Sequence, residues 1–108
     1  MVNLEPARSG EANKRRPAVI VSNDGANVAA ERTGRGVITV VPISSNISRI
    51  YPFQVLLPAS VTGLEHDSKA QAEQVRSISV ERLGYAIGEV PQDLMAELDE
   101  ALRLHLAL

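Results

Sequence analysis

Three cations stand directly before a proline and a short apolar run near the start of the chain. They are Lys14, Arg15 and Arg16, in the stretch "KRRPAVIVSND". An arginine guanidinium stays charged at neutral pH and presents a planar fork that matches a phosphate group. Pro17 and the apolar run predict a buried strand, so the backbone of Arg16 should be rigid where that strand begins. A rigid guanidinium aimed at a phosphate can stabilise negative charge that builds up during a reaction.

Length and composition limit what kind of protein could carry this chemistry. With 108 residues, 44% hydrophobic and 22% charged, the chain is typical of one globular domain spanning residues 1–108. No apolar run approaches the roughly 20 residues of a membrane span, and the start lacks a signal-peptide core, so we expect a cytoplasmic protein without a membrane partner. The absence of Cys and the presence of two His predict action without a metal or other cofactor.

The charge is distributed unevenly along the chain. Residues 1–60 carry seven Lys or Arg against four Asp or Glu, whereas residues 61–108 carry four against nine. A basic half in a protein of net charge −2 indicates a localised anion site rather than a surface coated for nucleic acid. Nine of the eleven cations are Arg, which suits phosphate recognition but fits a GC-rich genome equally well.

Hydrophobic patterning predicts several short strands followed by one terminal helix. The predicted strands are residues 17–22, 37–43, 51–58, 74–79 and 85–90. Residues 23–36 begin with turn residues and end on glycines, which predicts a loop with at most a helical turn. Pro42 predicts a bulge or a strand end. In the third strand, Phe53, Val55 and Leu57 should share one face.

The last segment changes its period. In "PQDLMAELDEALRLHLAL" an apolar stripe of Leu94, Leu98, Ala101, Leu102 and His105 recurs at helical spacing, opposite acidic residues. The combined pattern predicts a mainly β (α+β) fold without βαβ units. The stripe also predicts a homodimer, because it offers more apolar surface than a small barrel should cover alone; capping of one barrel end is the alternative.

An ordered set of motifs makes the chain resemble the MazF/PemK family of toxin endoribonucleases. The set is the Arg-Arg-Pro entering a strand, then "VVPISSN", "YPFQVLL", "KAQAEQVRSIS" and the terminal helix, covering residues 5–108. The resemblance implies an SH3-like small β-barrel of about five to seven strands and a homodimer. It also implies metal-independent cleavage of single-stranded RNA (mRNA, with tRNA and rRNA as further candidates) and a MazE-like antitoxin as partner. The start "VNLEP" is shorter than the family's usual opening strand, which leaves the edge or closing strand open.

The resemblance also implies roles for individual residues. Arg16 matches the family's catalytic arginine, and Ser44 falls where most members have a threonine. Glu11 matches a glutamate in the loop before the arginine, and Gln74 and Arg76 match a glutamine followed by a basic residue. Further substrate-binding candidates are Asn13, Lys14, Arg15, Ser45, Asn46 and Tyr51.

The chemistry of such a cleavage is consistent with these residue types. The ribose 2′-OH attacks the phosphorus and leaves a 2′,3′-cyclic phosphate and a 5′-OH end, so Arg16 should stabilise charge on the phosphoryl oxygens. Ser44 should hydrogen-bond the phosphate or help to move the 2′-OH proton. As alternatives, Arg16 could pair with Glu11 on the surface, and Ser44 could merely end a strand.

Aromatic and histidine residues are assigned from their surroundings in the sequence. Tyr51, beside Pro52, is a better candidate for stacking on a base than Phe53, which should belong to the core. His105 should be structural, and His66 lies in a polar loop, so neither predicts histidine-based acid–base catalysis.

An alternative function is a toxin of the same fold that binds a protein such as DNA gyrase without cutting RNA. A barrel that only binds RNA is a third possibility.

Overall fold

The structure is a computed structural model that describes residues 2–4 and 16–108. Within them lie seven strands and three α-helices. The strands are β1 (Val2–Leu4), β2 (Arg16–Ile20), β3 (Val37–Ser44), β4 (Gln54–Leu57), β5 (Ser68–Gln71), β6 (Arg76–Ser79) and β7 (Leu83–Ala86). The helices are α1 (Asp24–Thr33), α2 (Ala59–Thr62) and α3 (Gln92–Leu106). The mainly β fold with a terminal helix is therefore confirmed.

The strands form one antiparallel sheet with β3 at its centre. Along the sheet the order is β4-β5-β3-β2-β1-β7, and β6 also pairs with β3. Residues 37–40 of β3 pair with β6, and residues 43–44 of the same strand pair with β5. Because β4 and β7 end this path, the described strands make an open sheet, which is consistent with a barrel-like fold.

Pro42 lies inside β3 rather than at a strand end. It is buried and stands opposite Ala18 of β2. On the other edge of β3 it falls between the residues paired with β6 and those paired with β5. A proline cannot donate a ladder hydrogen bond, so the change of partner strand occurs where the missing N–H does least harm.

The two faces of the central strands are both buried, as predicted for residues 17–22. Val41 and Ile43 of β3 belong to one apolar cluster, and Ile38 and Val40, on the opposite face, belong to a second. Because successive side chains of a strand alternate between faces, a strand buried on both sides must be apolar almost throughout. This is why "VITVVPI" lacks the polar alternation of a surface strand.

Helix α3 packs its apolar stripe against the chain's own core. Leu98 is fully buried and Ala101 nearly so, while Leu94 and Leu102 pack partly buried against the same cluster. The stripe therefore covers the sheet, as the alternative of a capped barrel end predicted. The exposed leucines of the terminal segment are instead Leu104, Leu106 and Leu108. His105, predicted on the apolar face, is exposed and lies 6.2 Å from the Phe53 ring.

The predicted loop at residues 23–36 is wrong over most of its length, because α1 occupies ten of its residues. Asn27 closes the first turn: its backbone N–H donates to the Asn23 carbonyl and its side-chain amide donates to the Ser22 carbonyl, both near 3 Å. The helix ends just before Gly34, whose φ of 65° suits a glycine. The asparagine and glycine residues that predicted turns therefore lie at the beginning and just after the end of α1.

Other strand boundaries also differ from the predictions. The third strand begins at Gln54 rather than at residue 51, after a turn at Pro52 and Phe53, and Phe53 is half-buried. The sequence did not predict β5, and the segment predicted at residues 85–90 is β7 at Leu83–Ala86. The edge or closing strand left open by the sequence is present as β1, and it does not lie at an edge, because it pairs with both β2 and β7.

Candidate active site

A cleft of about 900 Å³ gathers five of the candidate residues named from the sequence. They are Arg16, Ser44, Ser45, Gln74 and Arg76. The rest of the lining is Pro17, Pro42, Ile43, Gly63, Leu64, Glu65, His66, Ser68, Gln71, Tyr85 and Ile87. The cleft therefore draws on β2, β3, β5, β6, β7 and the loop after α2.

Arg16 is the first residue of β2, and neighbouring strands hold its backbone. It stands opposite Leu4 of β1, while on the other edge of β2 the pairing with β3 begins two residues later, at Ala18 and Pro42. Its side chain is exposed. A strand whose next residues are paired and buried gives the guanidinium a rigid mount, so little ordering is required when a phosphate binds.

Ser44 is the last residue of β3 and lines the same cleft. Its hydroxyl oxygen accepts the backbone N–H of Asn46 at 3.2 Å, and the residue stands opposite Lys69 of β5. Because the hydroxyl uses a lone pair in this bond, its own O–H can still donate to a phosphate oxygen. The turn after the strand thus orients the hydroxyl.

The loop after Ser44 is held by hydrogen bonds within the loop and by one from β5. Asn46 accepts both the backbone N–H and the hydroxyl of Ser48 through its side-chain oxygen, at 3.2 and 2.8 Å. The buried Lys69 donates to the Arg49 carbonyl at 2.8 Å. Asn46, predicted to bind substrate, is therefore engaged in its own turn and does not line the cleft.

Tyr51, predicted as a stacking face, also lies outside the cleft lining. Its ring is stacked on Phe53, with centroids 5.5 Å apart and planes within 2°. The Arg49 guanidinium lies 5.6 Å from the centroid of the same ring and donates to the tyrosine hydroxyl at 3.3 Å. Neighbours within the chain thus already contact this tyrosine.

Gln74 and Arg76 bring amide and guanidinium groups to the cleft from one short segment. Gln74 ends a 3-10 turn, and Arg76 begins β6 opposite Val40 of β3. Both side chains are exposed. Arg76 is the second arginine of the cleft after Arg16, so two guanidinium groups can bind phosphate groups of one nucleic-acid strand.

Four further candidates lie outside the residues that the structure describes: Glu11, Asn13, Lys14 and Arg15. Their roles stay predictions.

Eleven residues of the cleft were not predicted from the sequence as site residues, and Glu65, His66 and Tyr85 are the charged and aromatic side chains and the imidazole among them. His66 was placed in a polar loop, and the structure shows that this loop forms a wall of the cleft. The polar run "EHDS" after a glycine indicates a loop, but only the pairing of β5 with β3 and β4 brings it to the site.

The described residues contain neither a cluster of metal-ligating side chains nor a membrane-spanning helix. Across residues 2–4 and 16–108, no group of three His, Cys, Asp or Glu is placed to hold a metal ion. Among the same residues, none of the helices has the length and apolar character to cross a bilayer.

The chain matches known proteins over nearly its full length. The family model of the PemK-like, MazF-like toxins of type II toxin-antitoxin systems matches residues 1–106. The chain is 64% identical to endoribonuclease MazF9 of Mycobacterium tuberculosis, covering 99% of this chain and 91% of that protein.

Solved structures of other toxins share the fold of this chain. The toxin MazF-mt6 of Mycobacterium tuberculosis superposes with a TM-score of 0.77 at 23% identity, covering 100% of this chain and 98% of the other. A MazE-MazF structure from Deinococcus radiodurans superposes with a TM-score of 0.75 at 28% identity, covering 99% and 90%. None of these proteins is described as a gyrase-binding toxin, so the alternative function gains no support. The chain belongs to the PemK-like, MazF-like toxin family of type II toxin-antitoxin systems.

Proposed function

We propose that this protein is the toxin of a toxin-antitoxin pair and acts as an endoribonuclease on single-stranded RNA. The observation that carries the proposal is the placement of Arg16 and Ser44 in one cleft, at the ends of two strands that pair with each other. A guanidinium and a hydroxyl that line one cleft can bind the same phosphate. Family membership supports the same activity.

Cleavage proceeds by attack of the ribose 2′-oxygen on the adjacent phosphorus. The 2′-OH loses its proton, the new P–O2′ bond closes a 2′,3′-cyclic phosphate, and the P–O5′ bond breaks. The departing 5′-oxygen takes up a proton and becomes a 5′-OH end. Arg16 stabilises the charge on the phosphoryl oxygens and can donate a proton to the leaving oxygen, and Ser44 hydrogen-bonds the phosphate or relays the 2′-OH proton.

The other polar residues of the cleft bind the strand on either side of the cut. Arg76 contacts a neighbouring phosphate, and Gln74 and Ser45 offer groups that can hydrogen-bond a base edge or a ribose. Lys14 and Arg15 add general phosphate contacts, and Glu11 and Asn13 act from the same segment. Asn46 and Tyr51 contribute by shaping the loop that follows Ser44.

The substrate is cellular RNA, with mRNA first and tRNA or rRNA as further targets, so the protein acts in the cytoplasm. We infer that residues 1–108 work as one domain, because β1 near the start pairs with the sheet against which α3 packs at the end.

A MazE-like antitoxin blocks the cleft, and the active form is a homodimer. The MazE-MazF structure of the Deinococcus protein supports such a partner. For the dimer, the exposed leucines of the terminal segment offer an apolar surface. Sedimentation at micromolar concentration should give the mass of two chains, and a monomeric mass with full activity would contradict this.

The function is tested by incubating the protein with a long single-stranded RNA in EDTA. Discrete cuts with 5′-OH and cyclic phosphate ends are expected, at a rate unchanged by removing divalent metal. RNA retained without cutting would indicate a binding barrel, and RNA neither retained nor cut would indicate a toxin with another target.

A further inference from the structure

Tyr85 is an aromatic residue exposed within the candidate active site. It lies in β7, keeps 60% of its surface accessible and lines the same cleft as Arg16 and Ser44. The cleft residues around it include charged side chains and amides. An exposed aromatic face in a polar cleft is a feature of binding sites, because the ring offers apolar contact where a ligand can cover it.

Strand β1 sets the separation between Tyr85 and Arg16. Leu4 pairs with Arg16 on one edge and with Leu83 on the other, and Val2 pairs with Ala18 and Ala86. Tyr85 therefore lies two strand spacings from the start of β2, about 10 Å at the usual spacing between strands. A phosphate held by Arg16 would have its flanking nucleotides within reach of this ring.

The cleft wall that contains Tyr85 consists of β7 and the residues after it, and its backbone lies in close contact with the loop after α2. Gly63 adopts φ 87°, and a side chain there would meet the Ile87 carbonyl at 3.0 Å. The loop after it is tied further, since Asp67 accepts the Ala59 N–H at 2.8 Å and Ser68 donates to the His66 carbonyl at 2.9 Å. Because the wall is ordered before substrate arrives, a base can stack there at little cost in conformational entropy.

We propose that Tyr85 stacks on the base of a nucleotide flanking the scissile phosphate, and so helps to determine where the RNA is cut. The inference rests on the proposed function, since it needs a nucleotide in the cleft. A base is the part of a nucleotide with a π face, and stacking on an aromatic side chain is a general way of holding single strands. Tyr51 is less suited, because Phe53 and Arg49 already contact its ring.

The experiment combines changes in the enzyme with changes in the substrate. Cut sites are first mapped on a long RNA, and a short RNA with one such site is then made with an abasic residue at each position in turn. Each RNA is cut by the wild-type protein and by the variants Tyr85→Phe, Tyr85→Leu and Tyr85→Ala. Loss of one stacked base is expected to lower wild-type kcat/KM about tenfold to a hundredfold at one flanking position.

The Tyr85→Ala variant should cut this abasic RNA and the intact RNA at the same rate. It has no ring on which the base could stack, so removal of the base costs it nothing further. Tyr85→Phe, which keeps an aromatic ring, should retain the wild-type sensitivity to the abasic position, whereas Tyr85→Leu should behave as the alanine variant, since leucine is apolar but has no π face. Equal abasic sensitivity in wild type and Tyr85→Ala, or full activity in Tyr85→Leu, overturns the stacking role and leaves the proposed function standing. A wild-type protein that leaves every RNA intact overturns the proposed function itself, and the stacking role with it.

Discussion

Arg16 and Ser44 occupy matching places at the same end of two paired strands. Each lies two residues beyond the Ala18–Pro42 pair, Arg16 before it in β2 and Ser44 after it in β3. Because side chains of a strand repeat their direction every two residues, each of the two shares the face of its own paired residue. The two proposed catalytic groups, 28 residues apart in the sequence, thus reach one cleft through strand register.

Arg16→Ala should abolish RNA cleavage while the fold persists. The side chain is exposed, so its loss removes no core packing, whereas a charge-stabilising contact in the transition state is worth roughly 3–4 kcal/mol. We therefore expect single-turnover cleavage to fall about a hundred- to a thousandfold. A folded variant that keeps more than about a tenth of the rate would sink the catalytic role.

Two other arginines serve as controls for Arg16. Arg35→Ala removes an exposed arginine that does not line the cleft, so the cleavage rate should stay at the wild-type level. Arg76→Ala removes a cleft guanidinium, so we expect weaker RNA binding and a shallower dependence of binding on salt, with a small change in turnover at saturating RNA.

Ser44→Ala should be severely impaired in cleavage, and Ser44→Thr should keep or improve it. Threonine supplies the same hydroxyl with a stiffer χ1, so the donor remains available to the phosphate. The comparison is made by single-turnover cleavage of one RNA by the three proteins. An active alanine variant beside a dead threonine variant would make the hydroxyl irrelevant and would turn attention to Ser45, which lines the same cleft.

The sequence predicted those parts of the fold that depend on local periodicity. Core strands such as β3 and the apolar stripe of α3 have hydrophobic periodicities that can be recognised from the sequence without knowledge of their neighbours in space. The segment of β5, "SKAQ", has no such pattern, and its buried Lys69 donates to the Arg49 carbonyl 20 residues away, a partner that the local sequence does not indicate. The start of α1 was likewise mistaken for a loop, because asparagine favours both turns and helix starts.

The residues of the candidate site also fall into two groups, those that sequence motifs predict and those that only long-range strand pairing brings to the cleft. Arg16 and Ser44 were found because motifs mark them, and motifs are local in sequence. Tyr85 and His66 reach the cleft through long-range pairing of β1 with β7 and of β5 with β3, which no local pattern encodes. Tyr51 is a surface residue, as its neighbours in the sequence suggested, but no motif predicted that its ring would stack on Phe53.

Gly63→Ala should destabilise the protein more than Gly34→Ala does. Both glycines adopt left-handed φ angles, 87° and 65°, so either alanine should cost roughly 1–2 kcal/mol in backbone strain. A Cβ at Gly34 meets nothing within 4 Å, whereas one at Gly63 lies 3.0 Å from the Ile87 carbonyl. Urea denaturation should therefore show an additional loss of about 1–3 kcal/mol for Gly63→Ala. Equal losses of unfolding free energy for the two variants would mean that the backbone at Ile87 can move away from the new Cβ without a cost in stability.

The last prediction concerns inhibition by the antitoxin. The described part of the cleft contains the guanidiniums of Arg16 and Arg76, and carboxylates of an acidic peptide can take the positions that phosphates occupy. Peptide and RNA should therefore exclude each other, and peptide binding should weaken as salt rises, down to a remainder set by apolar contacts. The measurement is a titration of the cognate antitoxin peptide into the toxin bound to a fluorescent RNA that cannot be cleaved. Arg76→Ala should weaken both ligands, whereas Arg35→Ala should weaken neither, because Arg35 lies outside the cleft. Simultaneous binding of peptide and RNA with undiminished affinities would show that inhibition acts from a separate site, through a change in the conformation of the toxin.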